Sequence, residues 1–196
     1  MFAETISVLI GYFAGSIPFG LLLAQAAGLG DIRKIGSGNI GATNVLRTGN
    51  KSVAALTLSC DVLKGLLPVL FARWLGGDLA AVFAGFAAMA GHIFPIWLGF
   101  KGGKGVATAA GALFGWSWPV AITAVLGWGL VFSLTRISSL SALCAIVASV
   151  IGAVWFDLSQ VWFVGLLGVV VVVTHRANIG RLLKGEEPKS SFAKAK

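Results

Sequence analysis

Seven apolar runs separated by short polar stretches constrain this 196-residue chain more than any other feature. They occupy Phe2 to Ala27, Ser52 to Leu75, Leu79 to Leu98, Val106 to Gly115, Ser117 to Leu134, Ser138 to Phe156 and Val161 to Thr174. With 57% hydrophobic residues, only 11% charged and a mean hydropathy of +0.92, the chain has too little polar surface to cover a soluble core. In hydrocarbon a helix satisfies its own backbone, so the runs predict an all-α, polytopic integral membrane bundle of about seven transmembrane helices. Residues 1–196 read as a single transmembrane domain, without internal repeats or an appended soluble domain.

A span crosses some 30 Å with about 20 residues. Val106 to Gly115 is short for that, and reads either as a short span or as half of a re-entrant hairpin formed with the run that follows. Pro18, Pro68 and Pro95 fall inside or near the ends of runs, where they kink or stop helices. If seven runs cross with the N-terminus outside, thirteen of the 15 lysines and arginines fall on the cytoplasmic side. Arg73 is then outside and Lys64 lies within a helix, while Lys194 and Lys196 belong to the cytoplasmic tail. The hairpin alternative gives the same tally. The net charge of +8 is thus a loop bias and does not indicate nucleic acid. The first run lacks a basic leader and an A-x-A-like site, which predicts a retained span. Cys60 and Cys144 sit in apolar runs and read as reduced thiols, and no metal site or cofactor is expected.

Four polar clusters interrupt this pattern. GSGNIGATNVLR, Gly36 to Arg47, offers positive-φ backbone at Gly36, Gly38 and Gly41. Ser37, Asn39, Thr43 and Asn44 add short polar groups, and Arg47 adds a cationic fork. That set suits a phosphate, although a glycine-rich turn reads equally well. GHIFPIWLGFKGGKGVAT, Gly91 to Thr108, brings Lys101, Gly103, Lys104 and a helix N-terminus together, again suited to phosphate. His92 reads as a helix-packing histidine. THRANIGRLLKGEE, Thr174 to Glu187, places His175 and Asn178 on one helix face. TRISSLS, Thr135 to Ser141, adds hydroxyls. Asp61 and Lys64, spaced i, i+3 within a run, are either a structural ion pair or the wall of a polar cavity.

All four clusters share the cytoplasmic side under this topology, which predicts one shared site. The spacing excludes a Walker A loop and an H-x-x-x-x-D box, and no strand precedes the glycine pattern to make it a dinucleotide fold. No Ser-His-Asp or Cys-His pairing is suggested.

SIPFG, GSGNIGATN, DVLKG, GHIFPIWLGFKGGKGVAT and HRANIGRLLKGEE, in this order, resemble the bacterial acyl-phosphate:glycerol-3-phosphate acyltransferases over essentially the whole chain. The resemblance implies a seven-helix bundle of the bacterial cytoplasmic (inner) membrane, embedded in the lipid bilayer and active on its cytoplasmic face. It also implies transfer of an acyl group from long-chain acyl phosphate to the sn-1 hydroxyl of glycerol 3-phosphate. Carried over residue by residue, Ser37, Gly38, Asn39, Thr43 and Arg47 would cradle phosphate and position glycerol. Lys104 would clamp phosphate beside Lys101 and Gly103. His175 and Asn178 would complete the pocket, with Glu187, or else Glu186, as its acidic residue and Ser139 or Ser141 as its hydroxyl. An acyl phosphate is already activated, so direct attack without an acyl-enzyme is expected. The rival reading is an organic-phosphate transporter or channel, which uses similar residues.

Overall fold

The computed structural model describes residues 1–156 and 158–190. Lys194 and Lys196, counted above with the basic tail, lie outside the described residues. The chain forms two compact units, one of residues 1–116 and one of residues 117–190. Every regular element among the described residues is helical.

The first unit holds α1 (Phe2–Ser16), α2 (Phe19–Ala26), α3 (Ala42–Leu46), α4 (Lys51–Ile93) and α5 (Val106–Trp116). Pro18 divides the first apolar run, because it has no N–H to continue the ladder and holds Ile17 in extended backbone. Pro68, by contrast, is buried inside α4 without ending it. The real interruption of α4 is Gly76–Gly77, where Gly77 takes φ +74, a value glycine reaches without strain. Asp61 and His92 stand at equal sequence distances on either side of that break. Their side chains lie 3.7 Å apart, so the two halves of α4 fold back on one another.

Small residues let these helices approach. Gly11 and Gly15 of α1 rest on the backbone of Ala84 and Ala88, and Gly65 and Gly111 bring α5 against α4 at Thr108 and Val62. Van der Waals packing and close backbone approach are the forces available where lipid is as apolar as the protein. At the turn of the hairpin, Arg73 pairs with Asp78 at 2.9 Å and donates to the carbonyls of Gly115 (3.3 Å) and Trp116 (3.0 Å). The basic residue that the charge count left outside thus caps the C-terminus of α5.

α5 has 11 residues and spans about 16 Å. Its shortness has a local cause. The segment before it folds back along the end of α4, with Gly102 N–H donating to Ile93 and Gly103 N–H to His92, so α5 begins level with Gly65.

The second unit holds α6 (Trp118–Thr135), α7 (Ser138–Phe156), α8 (Val161–Thr174) and α9 (Arg176–Leu183). Its buried positions are mostly small, such as Ala121, Ala124, Ala145 and Ala153, while Leu126, Leu130, Leu134, Val147 and Ile151 face outward. That inversion of a soluble core suits a lipid surround. Four helical stretches in the chain are long and apolar enough to cross a membrane, or five if the bent α8–α9 pair counts as one span. Folded-back α4 is one of the four.

Candidate functional site

In the first unit the glycine-rich loop is held by its own hydrogen bonds. Asp31 caps a 3-10 turn, Ile32–Lys34, by accepting the Arg33 N–H at 3.0 Å. Gly36 and Gly38 then reverse the chain at φ +54 and +68, whereas Gly41 keeps an ordinary φ of −79. The expectation of positive φ at Gly41 is therefore corrected: the third glycine ends the loop in extended backbone.

Asn44, expected among the ligand-facing groups, is instead 2% exposed and spends its amide on the loop. Its Nδ2 donates to the Ile32 carbonyl at 2.7 Å, and its Oδ1 accepts the Ser37 N–H at 3.1 Å. Asn39 closes a second small turn by accepting the Gly41 N–H at 2.9 Å. These bonds leave Ser37 exposed at the tip. The Arg47 chain lies over Gly36, where any Cβ would strike both its Nη1 and the Asn44 amide. Gly36, Ser37 and Arg47 form one concave corner, in which a hydroxyl and a guanidinium can meet one oxyanion. Ile40 and Val45 pin the corner into a buried cluster with Leu21, Ala24, Ile32 and Ala54, and Leu98 packs against the same cluster. The two loops of this unit therefore lie at one end of the α4 hairpin.

The second of those loops turns through Gly99 (φ +59) and Phe100 (φ +63), with Phe100 N–H donating to Pro95 at 3.0 Å. Lys101 is exposed and Lys104 is half-buried just ahead of α5. Asp61 and Lys64 are paired at 2.8 Å and almost fully buried. Lys64 also donates to the Ile17 carbonyl at 2.9 Å, an acceptor released from the helix by Pro18, and lies 5.8 Å from the Phe19 ring. Its contacts are internal, which favours the ion-pair reading of Asp61 and Lys64.

The second unit organises its polar residues around Glu187. One carboxylate oxygen accepts from Ser139 at 2.7 Å and from the Asn178 amide, and the other accepts from Arg181 at 2.7 Å. Burial alone would raise the Glu187 carboxyl, but the hydrogen bonds from Ser139, Asn178 and Arg181 hold it below its usual value. Arg181 is one of the basic residues counted on the cytoplasmic side. Its spacing of six from Glu187 across the end of α9 was the available signal. Ser141 bonds back to the Ile137 carbonyl at 2.8 Å within α7, so of the two serines Ser139 is the one joined to this cluster. His175 caps α9 and is 2% exposed. Its Nδ1 lies 2.8 Å from the Val171 carbonyl, a contact in which only the nitrogen can donate. Thus Gly36, Ser37 and Arg47 come together in the first unit, and Ser139, Asn178 and Glu187 in the second.

A family model described as Glycerol-3-phosphate acyltransferase matches residues 5–185. A glycerol-3-phosphate acyltransferase of Erythrobacter litoralis is 53% identical over 189 residues, covering 94% of each chain. One of Brucella anthropi is 54% identical over 185 residues, covering 93% of this chain and 91% of its own. Among solved structures, PlsY (YgiH), an integral membrane glycerol 3-phosphate acyltransferase in its glycerol 3-phosphate form, superimposes with a TM-score of 0.89 at 36% identity, covering 96% of each chain. Its lysophosphatidic acid form gives 0.88 at 35% identity over 97% of each. With a family model spanning residues 5–185 and relatives sharing half their sequence, the chain belongs to the glycerol-3-phosphate acyltransferase family.

Proposed function

We propose that the protein transfers a fatty acyl group from a long-chain acyl phosphate to the sn-1 hydroxyl of glycerol 3-phosphate, releasing lysophosphatidic acid and inorganic phosphate. This is the first acylation of bacterial phospholipid synthesis. The observation that carries the reading is the corner in which Arg47 lies over Gly36 beside Ser37, held open by the amide of Asn44. A preformed cationic corner of this kind binds a phosphate without reordering the chain. Family membership supports the acceptor, and the motif resemblance supports the acyl-phosphate donor.

Ser37, Gly38, Asn39, Thr43 and Arg47 hold phosphate and glycerol, and Lys101, Gly103 and Lys104 clamp phosphate at the start of α5. In the second unit His175 and Asn178 serve the reacting groups. Ser139 presents a hydroxyl, and Glu187 orients Asn178. The hydroxyl attacks the acyl carbonyl directly, and its proton passes to a substrate phosphate oxygen or to His175 Nε2. The C–O bond to the new ester forms as the C–O bond to phosphate breaks, without an acyl-enzyme. The protein crosses the bacterial inner membrane seven times with its N-terminus outside, supported by the doubling back of α4 and by thirteen of 15 basic residues on one side.

The test is a coupled assay on purified protein. Phosphate release from palmitoyl phosphate that requires glycerol 3-phosphate supports the reading. Glycerol 3-phosphate flux into vesicles without release makes the protein a transporter, and a labelled acyl group trapped on the chain removes the direct mechanism.

A further inference from the structure

His92 is buried at the end of α4, 4% exposed, and the reaction outlined above does not use it. One side of the residue faces charge: its Nδ1 lies 3.7 Å from the Asp61 carboxylate, which itself holds Lys64 at 2.8 Å. The other side faces the phosphate loop, where the Nε2 edge of the ring packs so tightly on Gly103 that no Cβ would fit. The His92 main-chain carbonyl also accepts the Gly103 N–H at 2.9 Å. Ring and backbone of one residue therefore hold one glycine, and the next residue is Lys104. A histidine placed only to fill space would be replaced at lower cost by an apolar side chain, since a buried polar ring must be matched by partners.

We propose that His92 is a positioning residue for Lys104: wedged between Asp61 and Gly103, it sets the height at which the loop and the first turn of α5 present their donors to phosphate. The chain of contact runs from the Ile17 carbonyl through Lys64, Asp61, the imidazole and Gly103 to Lys104. The proposal rests on the reading of this loop as the phosphate clamp. It adds that the placement of the clamp is set inside the helical hairpin. A displacement of about 1 Å in such a group costs up to about a hundredfold in rate.

The test is a double-mutant cycle on the full-length protein in detergent, read as kcat/KM for glycerol 3-phosphate. Gly103→Ala alone, forced against the ring, is expected to lose about a hundredfold. His92→Asn keeps an amide facing Asp61 and removes the ring edge over Gly103. On its own it is expected to lose about tenfold, mainly through a higher KM, with an unchanged melting temperature. Combined with Gly103→Ala it recovers activity to the level of His92→Asn alone, because the clash is gone. Penalties that multiply in the double variant overturn the proposal. So does a His92→Asn chain recovered only as aggregate, which makes the residue a requirement of folding. If wild-type protein forms no lysophosphatidic acid, the functional reading fails instead, so the two failures are distinct.

Discussion

Asp61 and Glu187 are both carboxylates drawn into networks, and they solve different problems. Asp61 sits in the interior of α4 and takes a lysine one turn away, at 2.8 Å, with both side chains nearly inaccessible. Glu187 follows α9 and gathers partners 48, 9 and 6 residues away. Each charge carried alone to a bilayer centre costs about 2.5–3.5 kcal/mol, so a nearby partner is what insertion requires of Asp61. Glu187 meets less of that penalty and can bind several groups, fixing Asn178 and Ser139 relative to one another. The first carboxylate is a condition of assembly. The second fixes three polar side chains against one another.

Breaking the first network should have the largest effect. Asp61→Ala strands a buried ammonium and is expected to cost about 3–5 kcal/mol, read as a lower melting temperature and poor recovery from membranes. Asp61→Leu combined with Lys64→Met should regain most of that loss, and failure to do so would give the pair a role beyond neutralisation. Next come Arg47→Ala and Lys104→Ala, each expected to lower kcat/KM by about 10²–10³ with membrane insertion intact. Near-normal turnover in either removes that residue from the phosphate site. Glu187→Gln weakens three hydrogen bonds and is expected to cost about 1–2 kcal/mol of stability together with a larger fall in kcat.

The same carboxylate predicts a pH dependence. Glu187 is depressed in the folded protein, so its contribution is complete above the unfolded value near 4.5 and is lost as pH falls through the folded value. An acid titration of melting temperature should therefore be flatter in Glu187→Gln than in wild type. The smallest effect separates the two serines. Ser139→Ala should cost about 1 kcal/mol through its bond to Glu187, and Ser141→Ala about half as much or less, because it loses only a bond back into its own helix. The reverse order would place Ser141, and not Ser139, in the site.

Much of the fold was legible because hydrocarbon leaves the backbone few options. The runs Ser138–Phe156 and Val161–Thr174 match α7 and α8 end for end, and Gly76–Gly77 falls in the gap between two runs as read. What sequence could not show was how polar groups divide between building and binding. Asn44 and Ser37 look alike as short polar residues of one loop, yet the first is consumed by Ile32 and Ser37 and the second is exposed. The amide of Asn44 suits either use, and only the folded chain settles which. The brevity of α5 was visible, but its cause, a loop folded back on His92 and Ile93, depends on backbone hydrogen bonds that carry no residue signature. Glu187 was placed in the last motif, but its bond to Ser139 joins residues 48 apart and leaves no local pattern.

The fold-back at Gly76–Gly77 bears on how the protein is made. Because Asp61 and His92 lie at equal distances from the break, they can meet only after the second half of α4 has emerged from the ribosome and doubled back. Until then Asp61 and Lys64 travel as a neutralised pair, one helical turn apart, so the first half can enter the membrane without waiting for the second. The polar interior is thus completed in two stages, and the step that brings His92 to Asp61 also delivers the loop bearing Lys104. Membrane assembly and placement of the Lys104 loop become one event.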